Sequence, residues 1–95
     1  MSRREYDIRI VFNEVEIKKV IIDSHFELKH SESINDEIIL GLVKKLDGLI
    51  LAPQDVNFSF NYFSEKLELN VKPYRLIWLL EREEFYIGVV NAYRR

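Results

Sequence analysis

Two stretches near the start of the chain, residues 7–12 and 15–22, are dominated by β-branched side chains: Ile8, Ile10 and Val11, then Val15, Ile17, Val20, Ile21 and Ile22. The polar pair Asn13-Glu14 separates them, so the pattern predicts a hairpin over about 7–22. Residues 34–47 follow another period. Ile34, Ile38, Ile39, Leu42, Val43 and Leu46 recur at helical spacing, and Asp36, Glu37, Lys44, Lys45 and Asp47 take the opposite face. Ser33 is placed to cap this helix, with Asp36 three residues on and Gly48 as a left-handed stop. The Asp36-Glu37 pair sits near the positive end of the helix dipole and Lys44-Lys45 near the negative end.

Between hairpin and helix, residues 23–31 support two readings. Ser24 and Glu27 make a capping box for a short helix, the reading we favour, while Ile22, Ser24, Phe26, Leu28 and His30 alternate as in a strand. The second half is strand-like throughout: Phe58, Phe60 and Tyr62; Leu67, Leu69 and Val71; residues 74–80; and residues 85–93. Residues 74–80 are apolar on both faces near their centre, which predicts a central strand covered on each side, or covered by helix on one side and by a neighbour's aromatics on the other. A turn at Arg82-Glu83 would pair Tyr74 with Asn91 and Arg75 with Val90; a longer loop would shift that register. The expected fold is one α+β domain over residues 1–95, with one or two helices in the region 24–47 packed on an antiparallel sheet of about four to six strands, its C-terminal strands lying at about 57–93.

Composition narrows the classes. The chain has 95 residues, is 47% hydrophobic and carries a net charge of −2, too apolar and too weakly charged for a disordered chain. With no cysteine it has no disulfide framework, thiolate metal site or cysteine nucleophile, and a cytoplasmic location is expected. No apolar run approaches the ~20 residues that span a bilayer, so no membrane partner is expected. The negative charge is regional: residues 31–70 carry three basic and seven acidic side chains, and residues 71–95 five and three. A local basic site can thus hold a phosphate on an acidic protein, at a slower rate of polyanion capture.

The chain contains no Walker loop, dinucleotide fingerprint, HExxH or EF-hand loop. A zinc site on His25 and His30 would need Glu27 or Glu32 to complete it, so neither a metal nor another cofactor is expected. What remains is an inventory of proton-transfer and anion-stabilising groups: His25, Lys29 and His30 in the middle, and Tyr74, Arg75, Asn91, Tyr93, Arg94 and Arg95 near the end. Metal-independent RNA cleavage draws on such groups. A base takes the 2′-hydroxyl proton, an acid protonates the departing oxygen, and cations hold the phosphorane charge.

The order HFELKHSESINDEIILGLV followed by KPYRLIWLLEREEFYIGVVNAYRR resembles small toxin-like domains of the barnase/EndoU/colicin/RelE-like ribonuclease group over residues 24–95. His25 and His30 match its His-led opening, Tyr74-Arg75 begins the penultimate strand, and Asn91-Ala92-Tyr93 stands at the closing motif, with Asn91 where a hydroxyl residue is usual. The resemblance implies an RNA substrate, no metal, and a cognate antitoxin or immunity protein. It implies His25 as general base or acid with His30 as its partner, Lys29 and Arg75 as phosphate stabilisers, Tyr93 as a positioning or acid residue, and Tyr74, Asn91, Arg94 and Arg95 as phosphate contacts. The alternative is a non-catalytic α+β module that binds another protein through an aromatic-rich sheet.

Overall fold

The computed structural model describes residues 3–23, 34–57, 59–81, 83 and 85–95. They form β1 (Arg3–Phe12), β2 (Val15–Asp23), α1 (Asp36–Lys44), β3 (Asp55–Asn57), β4 (Phe60–Leu69), β5 (Lys72–Glu81) and β6 (Ile87–Arg94). The strands make one six-stranded sheet in the order β1-β2-β6-β5-β4-β3. The α+β class is as expected, but the sheet is mixed and not antiparallel: β2 and β6 run parallel, with Val20, Ile21 and Ile22 beside Ile87, Gly88 and Val89. A parallel pair needs a long crossover, here everything between β2 and β6, and no local sequence signal announces it.

The first hairpin turns at Asn13-Glu14, both at positive φ, as a two-residue type I′ turn requires. Its tip is stitched to the chain that follows α1. The Asn13 side-chain amide donates to the Leu51 carbonyl (2.9 Å) and accepts from the Leu51 N–H (2.7 Å), and the Gly48 N–H donates to the Val11 carbonyl (2.7 Å). Gly48 has the expected left-handed φ of +83, but it closes the turn after the helix, which itself stops at Lys44 with Lys45 as its C-cap. The helix is shorter than the 34–47 pattern. Asn35, not Ser33, caps it, its side chain accepting from the Ile38 N–H at 2.9 Å, and Ser33 lies outside the described residues, as do the 24–31 segment and Phe58. Asn caps as well as Ser because either oxygen reaches the orphan N–H groups of the first turn.

Helix α1 packs on one face of the sheet through Ile39, Leu42 and Val43, with Ile34 and Leu46 buried at its ends. Beneath it lie Ile10, Phe12, Ile17, Val20, Ile22, Phe63, Leu76, Trp78, Leu80, Ile87, Val89 and Ala92. In a flat sheet β1 and β5 would stand about 14 Å apart, three strand spacings. The Phe12 ring is nevertheless 5.6 Å from the Trp78 ring and 5.0 Å from Phe63, so the hairpin curls over the core face. Phe63 and Trp78, directly paired across β4 and β5, stack at 5.3 Å.

Three strand expectations are corrected. Residues 60–69 are one strand, with Phe60 and Tyr62 on the face opposite to Phe63, Leu67 and Leu69. Val71 is not a strand residue: Asn70 and Val71, both at positive φ, form the turn between β4 and β5. The β5–β6 loop runs to Tyr86, whose carbonyl accepts from the Glu81 N–H, so Tyr74 pairs with Arg94 and Arg75 with Tyr93 rather than with Asn91 and Val90.

Candidate functional site

The face of the sheet turned away from α1 carries no helix among the described residues. It is built from the alternate positions of the central strands: Tyr62, Ser64 and Lys66 of β4, Arg75, Ile77 and Leu79 of β5, and Gly88, Asn91 and Tyr93 of β6. The register gathers them into rows. Lys66, Arg75 and Tyr93 are consecutive cross-strand neighbours, as are Ser64, Ile77 and Asn91, and Tyr62, Leu79 and Gly88, with Ile21 of β2 continuing the last row. One end of the face thus carries Lys66 and Arg75, with Glu68 one position beyond Lys66, and the other is mainly apolar and closes on the Phe60–Glu81 pair, Glu81 being buried.

At the cationic end, Arg75 Nη1 donates to Ser64 Oγ at 2.9 Å, which fixes the guanidinium over the β4 side. Lys66 and Arg75 lie directly opposite one another, an arrangement of like charges that opposes folding. Neither forms an ion pair with a carboxylate among the described residues. By contrast, Lys18 and Lys19 on the hairpin are matched by Glu16 at 3.4 Å and Glu5 at 3.2 Å. An anion between Lys66 and Arg75 would turn repulsion into a clamp, with the Arg fork supplying direction and Lys a point charge.

Of the residues singled out from sequence, the fold brings Arg75, Tyr93 and Asn91 to this face, the Asn91 Oδ1 accepting from the Ala92 N–H at 2.9 Å. It does not bring Tyr74 there: that side chain points into the core at 4% exposure. Arg94, paired with Tyr74, goes with the core side of the strand and is exposed at its end. Arg95 is exposed beyond β6, its N–H donating to the Pro73 carbonyl at 3.0 Å. His25, Lys29 and His30 lie outside the described residues. Lys66 and Ser64 were missed. The signal was there, since Phe60, Tyr62, Ser64 and Lys66 share one parity, and Lys66 pairs opposite Arg75 once β4 is read as a single strand.

A second polar cluster lies on the core side. Arg4 donates to both Asp36 oxygens, Nε at 2.5 Å and Nη2 at 2.7 Å, and the Tyr6 hydroxyl donates to the same carboxylate. Burial alone pushes the Asp36 carboxyl up. The hydrogen bonds from Arg4 and Tyr6 and the Arg4 charge outweigh it and hold the carboxyl below its ordinary value. The bond to Asp36, with burial and the carboxylate's charge, holds the Tyr6 phenol above its own. This cluster ties the edge strand to the first turn of α1, where a carboxylate also meets the positive end of the dipole.

Comparison with protein families, with curated proteins and with solved structures found no match. The ribonuclease resemblance therefore rests on the sequence motifs alone. No helix among the described residues is long and apolar enough to cross a membrane, and no group of His, Asp or Glu among them is arranged to hold a metal ion.

Proposed function

We propose that this chain is a metal-independent endoribonuclease of toxin type whose RNA lies along the helix-free face of the sheet. The observation that carries the reading is the like-charged pair Lys66 and Arg75, unmatched by carboxylates among the described residues and flanked by Tyr93. In the proposed reaction a base removes the proton of a ribose 2′-hydroxyl, whose oxygen attacks the adjacent phosphorus. The 5′-oxygen leaves with a proton from an acid, giving a 2′,3′-cyclic phosphate. Arg75 and Lys66 hold the added negative charge of the phosphorane, and Tyr93 positions the phosphate from the other side. The sequence assigns the proton transfers to His25 and His30.

The test is cleavage of bulk RNA in EDTA by wild type, Arg75→Ala and His25→Ala, with folding checked by circular dichroism. Wild-type cleavage that is lost in both variants is expected. An inert wild type, or variants that cleave as well as wild type, would remove the proposed site. One observation favours a second reading, a protein-docking module. Ile21, Ile77, Leu79, Phe60 and Tyr62 give the other end of the face an apolar surface. An RNA-indifferent protein in which a partner protects these side chains would support that reading instead.

A further inference from the structure

We infer that Tyr62 is a base-stacking platform and that the ligand of this face is single-stranded RNA, read by phosphate at one end and by a base at the other. The inference rests on the RNA reading above and adds the substrate's form and a second subsite. Tyr62 and Lys66 sit on the same face of β4, four residues apart, or about 13 Å along the strand. A phosphate held between Lys66 and Arg75 and a base at Tyr62 therefore belong to different nucleotides of one extended strand.

On this face Tyr62 stands between Leu79 of β5 and Asp55 of β3. Among the described rings, Phe60 lies 6.5 Å from Tyr62 and is tilted by 51°, so neither ring lies flat on the other. Leu79, directly across from Tyr62, leans the other way, over Gly88, where an added Cβ would come within 3.0 Å of Leu79 Cδ1. A side chain at position 88 would require Leu79 to shift by a few tenths of an ångström, so Gly88 leaves room for Leu79 on the β6 side. A duplex cannot use such a platform, because its bases already stack on one another and offer only their edges. An unpaired strand can, whatever its sequence, since every base presents a π-face.

The experiment measures binding by fluorescence anisotropy. The probes are a labelled hexanucleotide with 2′-O-methyl riboses, which the proposed chemistry cannot cut, and a hairpin duplex of the same composition. Wild type, Tyr62→Ser, Tyr62→Trp and Arg75→Ala are compared, with circular dichroism to confirm folding. Tyr62→Ser is expected to weaken single-strand binding on the order of tenfold to a hundredfold, as loss of one stacked base does. Tyr62→Trp should restore it, which a merely structural role for the phenol would not produce. The duplex should bind more weakly than the single strand and be indifferent to Tyr62. If Tyr62→Ser binds the single strand as wild type does while Arg75→Ala is weakened, stacking is overturned and the RNA reading stands. If wild type binds neither probe, the RNA reading fails and the inference with it, leaving protein docking as the use of the face.

Discussion

Val71 is the position where local chemistry and fold disagree most, and replacing it with glycine should stabilise the protein. It is the second residue of a two-residue turn at φ +58, a region where a β-branched side chain is a genuine outlier. Holding an L-residue there costs about 1–2 kcal/mol, and a β-branched one lies at the upper end of that range. Glycine removes the cost but adds about 0.5–1 kcal/mol of unfolded-state entropy. Val71 is 88% exposed, so the lost burial amounts to a few tenths of the roughly 1.5–3 kcal/mol of a fully buried side chain. The net expectation for Val71→Gly is a gain of about 1 kcal/mol, or roughly 4–8 °C in Tm for a domain of this size. Urea melts of wild type, Val71→Gly and Val71→Ala at fixed pH would measure it. Alanine keeps the Cβ in the left-handed region and should recover less than glycine. A Val71→Gly midpoint at or below the wild-type value, with unchanged m, would refute the strain argument.

The other hairpin turn makes the converse test: Asn13→Ala should destabilise by about 1–3 kcal/mol in the same melts, because it removes both hydrogen bonds to Leu51 and places alanine at φ +52. Asp36→Asn should cost about 2 kcal/mol at pH 7, from the weakened charge-assisted bonds to Arg4 and the dipole. The Asp36 carboxyl is held below its ordinary value of 3.8, so its contribution is complete above that pH and is lost as pH falls through the folded-state value; wild-type and variant stabilities should converge there in an acid titration. Lys66→Ala should leave stability unchanged or slightly raised, as the repulsion with Arg75 is relieved. It should also weaken single-strand binding and lower the salt slope by about 0.7, the signature of one phosphate contact.

The elements legible in the sequence are those set by short-range pattern. The first hairpin turned at the pair that separated its apolar runs, the helix lay within its 3.6-residue stripe, and Tyr74, Leu76, Trp78 and Leu80 took the core side of a strand whose other face is lined by its neighbours. The helix start was displaced because two good capping residues, Ser33 and Asn35, stand two apart, and only packing decides between them. Val71 read as a strand residue because β-branching is a strand signal, and the glycine that would have marked a type I′ turn is absent. The parallel β2–β6 pairing could not be read, since it depends on how the chain between them returns. For the site, Arg75 and Tyr93 could be named from sequence, whereas their adjacency depended on a register that the loop before β6 sets; the exclusion of Tyr74 follows from alternation alone, since it directly precedes Arg75 in β5.

That register contains the step that joins fold to function. Between Ile77 and Trp78 the pairing with β6 slips by one residue: Ile77 faces Asn91 but Trp78 faces Val89, leaving Val90 as the extra residue of a bulge. Val89 and Ala92, three apart, are both buried, with Val90 exposed and Asn91 half-buried between them. Were β6 to alternate without interruption, keeping Val89 inside would turn Asn91 and Tyr93 inward too, and expose Ala92. Tyr93 would then compete for a core position that alanine fills completely, and Arg75 would lose its aromatic neighbour. A comparable slip between Asp7 and Ile10 lets Ile17 and Val20 both stay inside and sends Lys18 and Lys19 out. In the hairpin those cations meet acidic partners; beyond the β6 bulge Tyr93 extends the Lys66–Arg75 row, and Asn91 the Ser64–Ile77 row. The sheet thus breaks its alternation twice, and on β6 the break brings Tyr93 beside the Lys66–Arg75 pair, where the proposed RNA site lies.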